Sequence, residues 1–186
     1  MNLRTGTVSE QRETIITQEN VFDGRLFKVA VYEVGLQDGN TARREVVQHP
    51  GAVAIVAIDA EQHVLLVKQY RIAAQAPLYE IPAGTLEPGE DPRDCAIREL
   101  REETGYKPLN IEPMGGLYTA PGYTDEYIHL FFTSDLSEAP LEQDADEFIE
   151  LHRLPLSETL QMIESGEIDD AKSVLGLLRA ARRLGV

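Results

Sequence analysis

The sequence predicts an α/β or α+β sandwich in which a mixed sheet lies between helices, with antiparallel hairpins ahead of it. Three observations lead there. Alternating and β-branched runs broken by turn signals fill residues 12–48, two apolar runs follow at 52–58 and 63–70, and helical patterns are interleaved with further strands. Strands and helices mixed along one chain pack as layers around a shared core.

Taken in order, "TIITQENV", "RLFKVAVYEV" and "TARREVVQ" are separated by Asp23-Gly24 and by "QDGN" at 37–40. Such dipeptides between alternating runs predict two hairpins. After Pro50-Gly51 come "AVAIVAI" and "HVLLVKQY", joined by "DAEQ", and then a short "LYEIP". A helix is expected near 92–104, with strands near 109–118 and 127–133. The chain closes on two helical patterns, "LSETLQMIESG" and "DAKSVLGLLRAARRLG", the second ending in basic residues and Gly185 as a helix C-terminus prefers.

Length and charge narrow the function. At 186 residues the chain is expected to be one domain with at most a small appendage. A net charge of −15 argues against nucleic acid and anionic membranes as partners, because both require a basic face. A phosphate ligand would need a cation to mediate. No apolar run is long enough for a signal segment or a membrane span, and the single cysteine, Cys95, cannot form an intrachain disulfide. A cytoplasmic protein is expected, with Cys95 a packing residue.

"GTLEPGEDPRDCAIRELREETGY", residues 84–106, crowds acidic side chains into one segment. Asp91 suits the N-cap, Pro92 the first helical position and Gly105 the left-handed position past the C-terminus. At 100° per residue Ala96, Ile97, Leu100 and Thr104 share one face, and Arg98, Glu99, Glu102 and Glu103 another. Like charges a turn apart repel, so a solvated acidic face is one reading. A site for a hard divalent cation such as Mg²⁺ or Mn²⁺ is the other.

The spacing decides between them: Gly84, Glu90, Arg98-Glu99-Leu100, Glu102-Glu103 and Gly105 realise G-x5-E-x7-R-E-U-x-E-E-x-G-U, where U is hydrophobic. This resembles the Nudix box of the Nudix hydrolases, with Tyr106 where that family prefers an aliphatic residue. The resemblance implies an α/β/α sandwich with a mixed sheet, an enzyme hydrolysing nucleoside diphosphates linked to another group, and divalent ions. By the same resemblance Glu99, Glu102 and Glu103, with the backbone carbonyl of Ala83, would bind metal, while Gly84, Glu90 and Arg98 would hold loop and helix together.

Pro121, fifteen residues beyond Tyr106, sits in "APGYTDE", which resembles the ADP-ribose pyrophosphatase branch. That branch implies cleavage of ADP-ribose to AMP and ribose 5-phosphate, with another nucleotide sugar (GDP-mannose, ADP-glucose) or a non-catalytic nucleotide-binding module as alternatives. It also implies a dimerising N-terminal β arm over 1–45, a hydrolase domain over 46–186 and a homodimer. Arg43, Arg44 and Glu45 would then lie near adenine or phosphate across the dimer, Arg71 would contact the diphosphate, and Phe22 or Phe27 would stack on adenine. Cross-strand surface pairing for Arg44 and Glu45 and a hairpin core around Phe22 and Phe27 are the competing readings. His49, His63, His129 and His152 show no ligand spacing and are expected to be structural. In the acidic stretch "LEQDADEFIEL", 141–151, Glu147 would be the general base; Glu150, Glu142 and Glu126 are alternatives.

Overall fold

Six consecutive apolar residues, Ala52–Ala57, form strand β4, every one of them buried. In the computed structural model, which describes residues 12–142 and 148–186, this strand belongs to a unit comprising Pro50–Thr119 and Glu126–Val186. A strand covered on both faces reads as a continuous apolar run, and this one does. It pairs in parallel with β10 (Tyr127–Thr133) and antiparallel with β7 (Ala83–Thr85), while β10 pairs antiparallel with β9 (Glu112–Tyr118). The result is a mixed sheet of order β7-β4-β10-β9.

Alternation along β4 builds the layers. Val53, Ile55 and Ala57 pack with Cys95, Ala96 and Leu100 of helix α1 (Pro92–Thr104), whereas Ala54 and Val56 pack with Leu177 and Ala180 of helix α3 (Ala171–Leu184). One helix therefore covers each face, as an α/β/α sandwich requires. Gly176 allows the close approach of α3, since a Cβ there would come within 2.9 Å of the Ile81 side chain. Ile55, Leu65, Leu100 and Leu177 are fully buried, each contributing on the order of 1.5–3 kcal/mol.

A second, antiparallel sheet of order β12-β5-β6 joins β5 (His63–Arg71), β6 (Ala76–Glu80) and β12 (Glu150–Pro155). The short strands β8 (Tyr106–Pro108) and β11 (Leu136–Glu138) pair with each other, and helix α2 (Leu156–Ser165) follows β12. No helix of the described residues is long and apolar enough to cross a membrane.

The other unit extends through His49 and includes Ala120–Asp125. Its strands β1 (Thr14–Asp23), β2 (Lys28–Gly35) and β3 (Thr41–Gln48) form the two expected hairpins in one antiparallel sheet. The first turn closes through the Gly24 N–H and the Phe27 carbonyl, and the second is braced by Asp38, which accepts from the Asn40 N–H. Every residue of β1 is exposed, including Ile15, Ile16, Val21 and Phe22. Ala120–Asp125 is tied to β3 by the Val47 N–H donating to Tyr123 O and the His49 N–H donating to Asp125 Oδ1.

Candidate active site

Local chemistry delimits α1 as the sequence predicts. The Asp91 carboxylate accepts from the Arg93 N–H at 2.8 Å, Pro92 opens the helix, and Gly105 ends it at φ 78°. Ahead of the cap, Glu90 Oε2 accepts from the Glu87 N–H at 3.0 Å and folds the approach loop onto itself.

One guanidinium organises the acidic face. Arg98 donates to both oxygens of Glu90 at 3.0 Å, to Glu99 Oε1 at 2.7 Å and to Glu102 Oε2 at 3.0 Å. These bonds offset the like-charge repulsion among the carboxylates. Arg98 holds the Glu90 carboxyl down at about 2 against the opposing effect of burial, and the Arg98 guanidinium is pushed up by the same pairing. Burial, followed by the Glu90 carboxylate, pushes the Cys95 thiol up, so it is a packing residue rather than a nucleophile.

Glu103, about 20° from Ala96 at 100° per residue, stands where the polar face meets the apolar one. It is 4% exposed, and its Oε2 accepts from the Ala83 N–H at 3.0 Å. β7 runs against this edge of α1 and covers it. Glu99 lies against the neighbouring residue, because a Cβ on Gly84 would overlap its carboxylate group. Gly84 is thus the cradle into which Glu99 settles. Glu99, Glu102, Glu103 and the carbonyl of Ala83 are all oxygen donors, and with that cradle they fit a hard divalent cation.

Among the described residues, the one group of three ligand atoms lying within 4.8 Å of one another is a different one, Asp59, Glu61 and His63. The Asp59 carboxylate is already engaged. Its Oδ1 accepts from the N–H groups of Glu61 and His63, both at 2.9 Å, and its Oδ2 from Arg153 Nε at 3.0 Å and Nη2 at 2.6 Å. Burial raises the Asp59 carboxyl, yet the His63 N–H and Arg153 outweigh it and the net shift is downward. That group is a turn stapled to β12, in keeping with a structural His63.

Arg71, at the end of β5, donates to Glu80 through Nε at 2.7 Å and Nη2 at 2.8 Å. Glu80 is 1% exposed and also receives Lys172 Nζ at 2.5 Å. Neither Glu80 nor Lys172 was singled out by the sequence. The available signal was one carboxylate inside the apolar "LYEIP", which needs a buried cationic partner.

Arg43, Arg44, Glu45, Phe22 and Pro121 belong to the other unit. There Arg44 pairs with Glu13 at 2.6 Å and Arg43 pairs with Glu45 at 3.1 Å, surface ion pairs of the kind the competing reading describes. Phe22 and Phe27 face each other with ring centroids 5.7 Å apart. Glu147 lies outside the described residues. Of its alternatives, Glu126 accepts from Thr119 Oγ1 at 2.8 Å and Glu150 approaches His152 at 3.3 Å.

Comparisons with known proteins add to this geometry. The NUDIX domain family matches residues 48–175. An ADP-ribose pyrophosphatase of Bacillus subtilis (strain 168) is 41% identical over 167 residues, 89% of this chain and 90% of the relative. A methanol dehydrogenase activator of Bacillus methanolicus is 46% identical over 167 residues, with the same coverage of 89% and 90%. A solved structure described as an ADP compounds hydrolase superposes with a TM-score of 0.84 at 27% identity, covering 95% of this chain and 96% of that one.

Proposed function

The chain belongs to the Nudix family, and from that premise we propose that it hydrolyses the pyrophosphate of ADP-ribose to AMP and ribose 5-phosphate with Mg²⁺. Pyrophosphohydrolysis is the activity class of the family and of a 41% identical relative. The observation that carries the reading is the packing of Glu99 and Glu103 of α1 onto Gly84 and Ala83 of β7. It brings oxygen donors of α1 and β7 side by side in a protein whose net charge is −15.

Glu99, Glu102, Glu103 and the Ala83 carbonyl would hold the ions. When bound, divalent cations neutralise the diphosphate and lower the pKa of the attacking water. Arg71 would hold the diphosphate with its planar fork of donors. Glu90 and Arg98 keep the approach loop and α1 in register, while Glu147 would accept the water proton. Arg43, Arg44, Glu45, Phe22 and Pro121 would shape the nucleoside subsite in a cytoplasmic homodimer. Support for that dimer is the three-stranded sheet whose strand β1 leaves Ile15, Ile16, Val21 and Phe22 exposed, a surface suited to a second copy.

The test is turnover of ADP-ribose, ADP-glucose and GDP-mannose with Mg²⁺, followed by phosphatase-coupled product detection. ADP-ribose is expected to be cleaved fastest. Faster GDP-mannose cleavage would overturn the substrate assignment, and no turnover of any compound would overturn the enzymatic reading.

A further inference from the structure

Behind Arg71 lies a buried ionic network that the box does not explain. The Glu80 carboxylate, at the end of β6, holds Arg71 through two hydrogen bonds and Lys172 through a third. Lys172, whose side chain is 11% exposed, also donates to Asp170 Oδ2 at 3.0 Å. Asp170 is the N-cap of α3 and accepts from both the N–H and the Oγ–H of Ser173. Ser173 Oγ in turn accepts from the Ile81 N–H at 2.9 Å. Glu80 and the residue after it are therefore both fastened to the first turn of α3, immediately upstream of Ala83 and Gly84.

Stability alone is a weak account of this arrangement, since well-packed apolar residues commonly do as well as a buried ion pair. Burial raises the Glu80 carboxyl, but Arg71 and Lys172 overcome it and hold it below its ordinary range. Glu80 therefore remains the anion that its partners require. Arg71 itself is 43% exposed, and Nη1 makes no hydrogen bond among the described residues. Its charge is felt by Glu103 of the box. A long, rotamer-rich side chain is thus pinned by two of its nitrogens and keeps donors to offer beside the carboxylates.

We infer that Glu80 is a positioning residue: it sets the Arg71 guanidinium for the diphosphate of the substrate, and Lys172 and Asp170 at the start of α3 set Glu80. This rests on the proposed hydrolysis of a nucleoside diphosphate. Without Glu80, Arg71 keeps its charge but loses its fixed fork, so substrate binding suffers more than the reaction step.

A double-mutant cycle on KM and kcat for ADP-ribose tests it. Arg71→Ala is expected to raise KM by at least ~10-fold and Glu80→Gln by ~10-fold with kcat within about threefold, since each loses an interaction made equally before and during the reaction. Glu80→Gln in the Arg71→Ala background should then change KM by less than about twofold, because the two act through one guanidinium. Glu80→Asp, which keeps every charge and shortens the reach, carries the same cycle if the glutamine variant does not fold. Multiplying KM effects, or an equal fall of kcat in both backgrounds, would overturn the inference and leave the proposed function standing. A wild-type protein that does not turn over ADP-ribose would overturn both.

Discussion

Replacing Gly84 by alanine separates the site from the fold. Gly84 lies in β7 outside the glycines with positive φ, so its backbone accepts an L side chain. The added Cβ would overlap Glu99 Cδ and both carboxylate oxygens, and nothing else stands among its nearest atoms. Ordinary carbon contacts sit at about 3.5 Å, so the carboxylate must retreat by more than about 1 Å. A glutamate has rotamers to do this, at a cost of about 0.5–1.5 kcal/mol. Loss of the Arg98–Glu99 pair adds up to about 1 kcal/mol, while a less flexible unfolded chain returns about 0.4–1 kcal/mol. The balance is about 2 kcal/mol or less, which for this chain length is a melting shift within about 8 °C. Activity has no such escape: displacing a ligand by ~1 Å costs ~10²-fold in rate. The assay is steady-state ADP-ribose hydrolysis over a Mg²⁺ titration, paired with calorimetric melting. Gly89→Ala, in the turn between β7 and α1, is the matched control. Its φ is 80° with no atom near an added Cβ, so strain of about 1 kcal/mol is expected with hydrolysis unchanged. Hydrolysis by Gly84→Ala within threefold of wild type, or a melting loss above 10 °C, would refute this account of the cradle.

Other expectations follow from the same geometry. Glu103→Gln retains an oxygen to accept from the Ala83 N–H, so melting should hold within a few degrees while turnover falls at least ~10–100-fold; wild-type turnover would contradict a metal role. Deleting residues 1–45 should give a monomer or an aggregating chain with little activity, and a monomeric full-length protein in sedimentation that is fully active would argue against the dimerising arm. The Glu90 carboxyl is lowered from 4.5 to about 2; its stabilisation is full above about pH 4.5 and disappears as pH falls through about 2. Urea unfolding between pH 6 and 2 should therefore show a slope that Glu90→Gln flattens, and an unchanged slope would mean that the Arg98 pairing is not felt. Glu147→Gln should lower kcat by ~10²–10⁴-fold with little change in KM, an assignment that loss of activity in Glu126→Gln or Glu150→Gln alone would transfer.

What the sequence made legible is what local chemistry fixes. The cap at Asp91, the proline at 92 and the glycine at 105 delimit α1 without any help from the rest of the chain, and the short apolar run at β4, bounded by Pro50-Gly51, reads as a strand covered on both faces. The three-residue strands β7, β8 and β11 were not readable, because a strand that short has no period to detect. The grouping of Glu103 with Glu99 and Glu102 does not by itself show its burial; the strand that covers it lies twenty residues upstream. Glu80 and Asp59 were missed for the same kind of reason. Their partners Lys172 and Arg153 lie 92 and 94 residues away along the chain, and no local pattern announces a buried pair of that separation.

The cations of this site explain why an acidic protein should need a metal to hold an anion. Arg98 is shared among Glu90, Glu99 and Glu102, and Arg71 is paired with Glu80, so each guanidinium is already matched or outnumbered by carboxylates. Glu103, which accepts from the Ala83 N–H and lies within the field of Arg71, adds a fourth carboxylate around α1. At an effective dielectric near 20, each unit charge about 4 Å from a diphosphate is worth about 4 kcal/mol, and here the uncompensated sign is the repelling one. In the proposed reading the protein's own side chains would supply orientation through Arg71 and order through Arg98. Net positive charge has to come with the ions. In the proposed reading the acidic face and the anionic ligand are compatible for that reason: the carboxylates would be costly to one another and to the substrate until a divalent cation lay between them, which would make binding of substrate conditional on binding of metal.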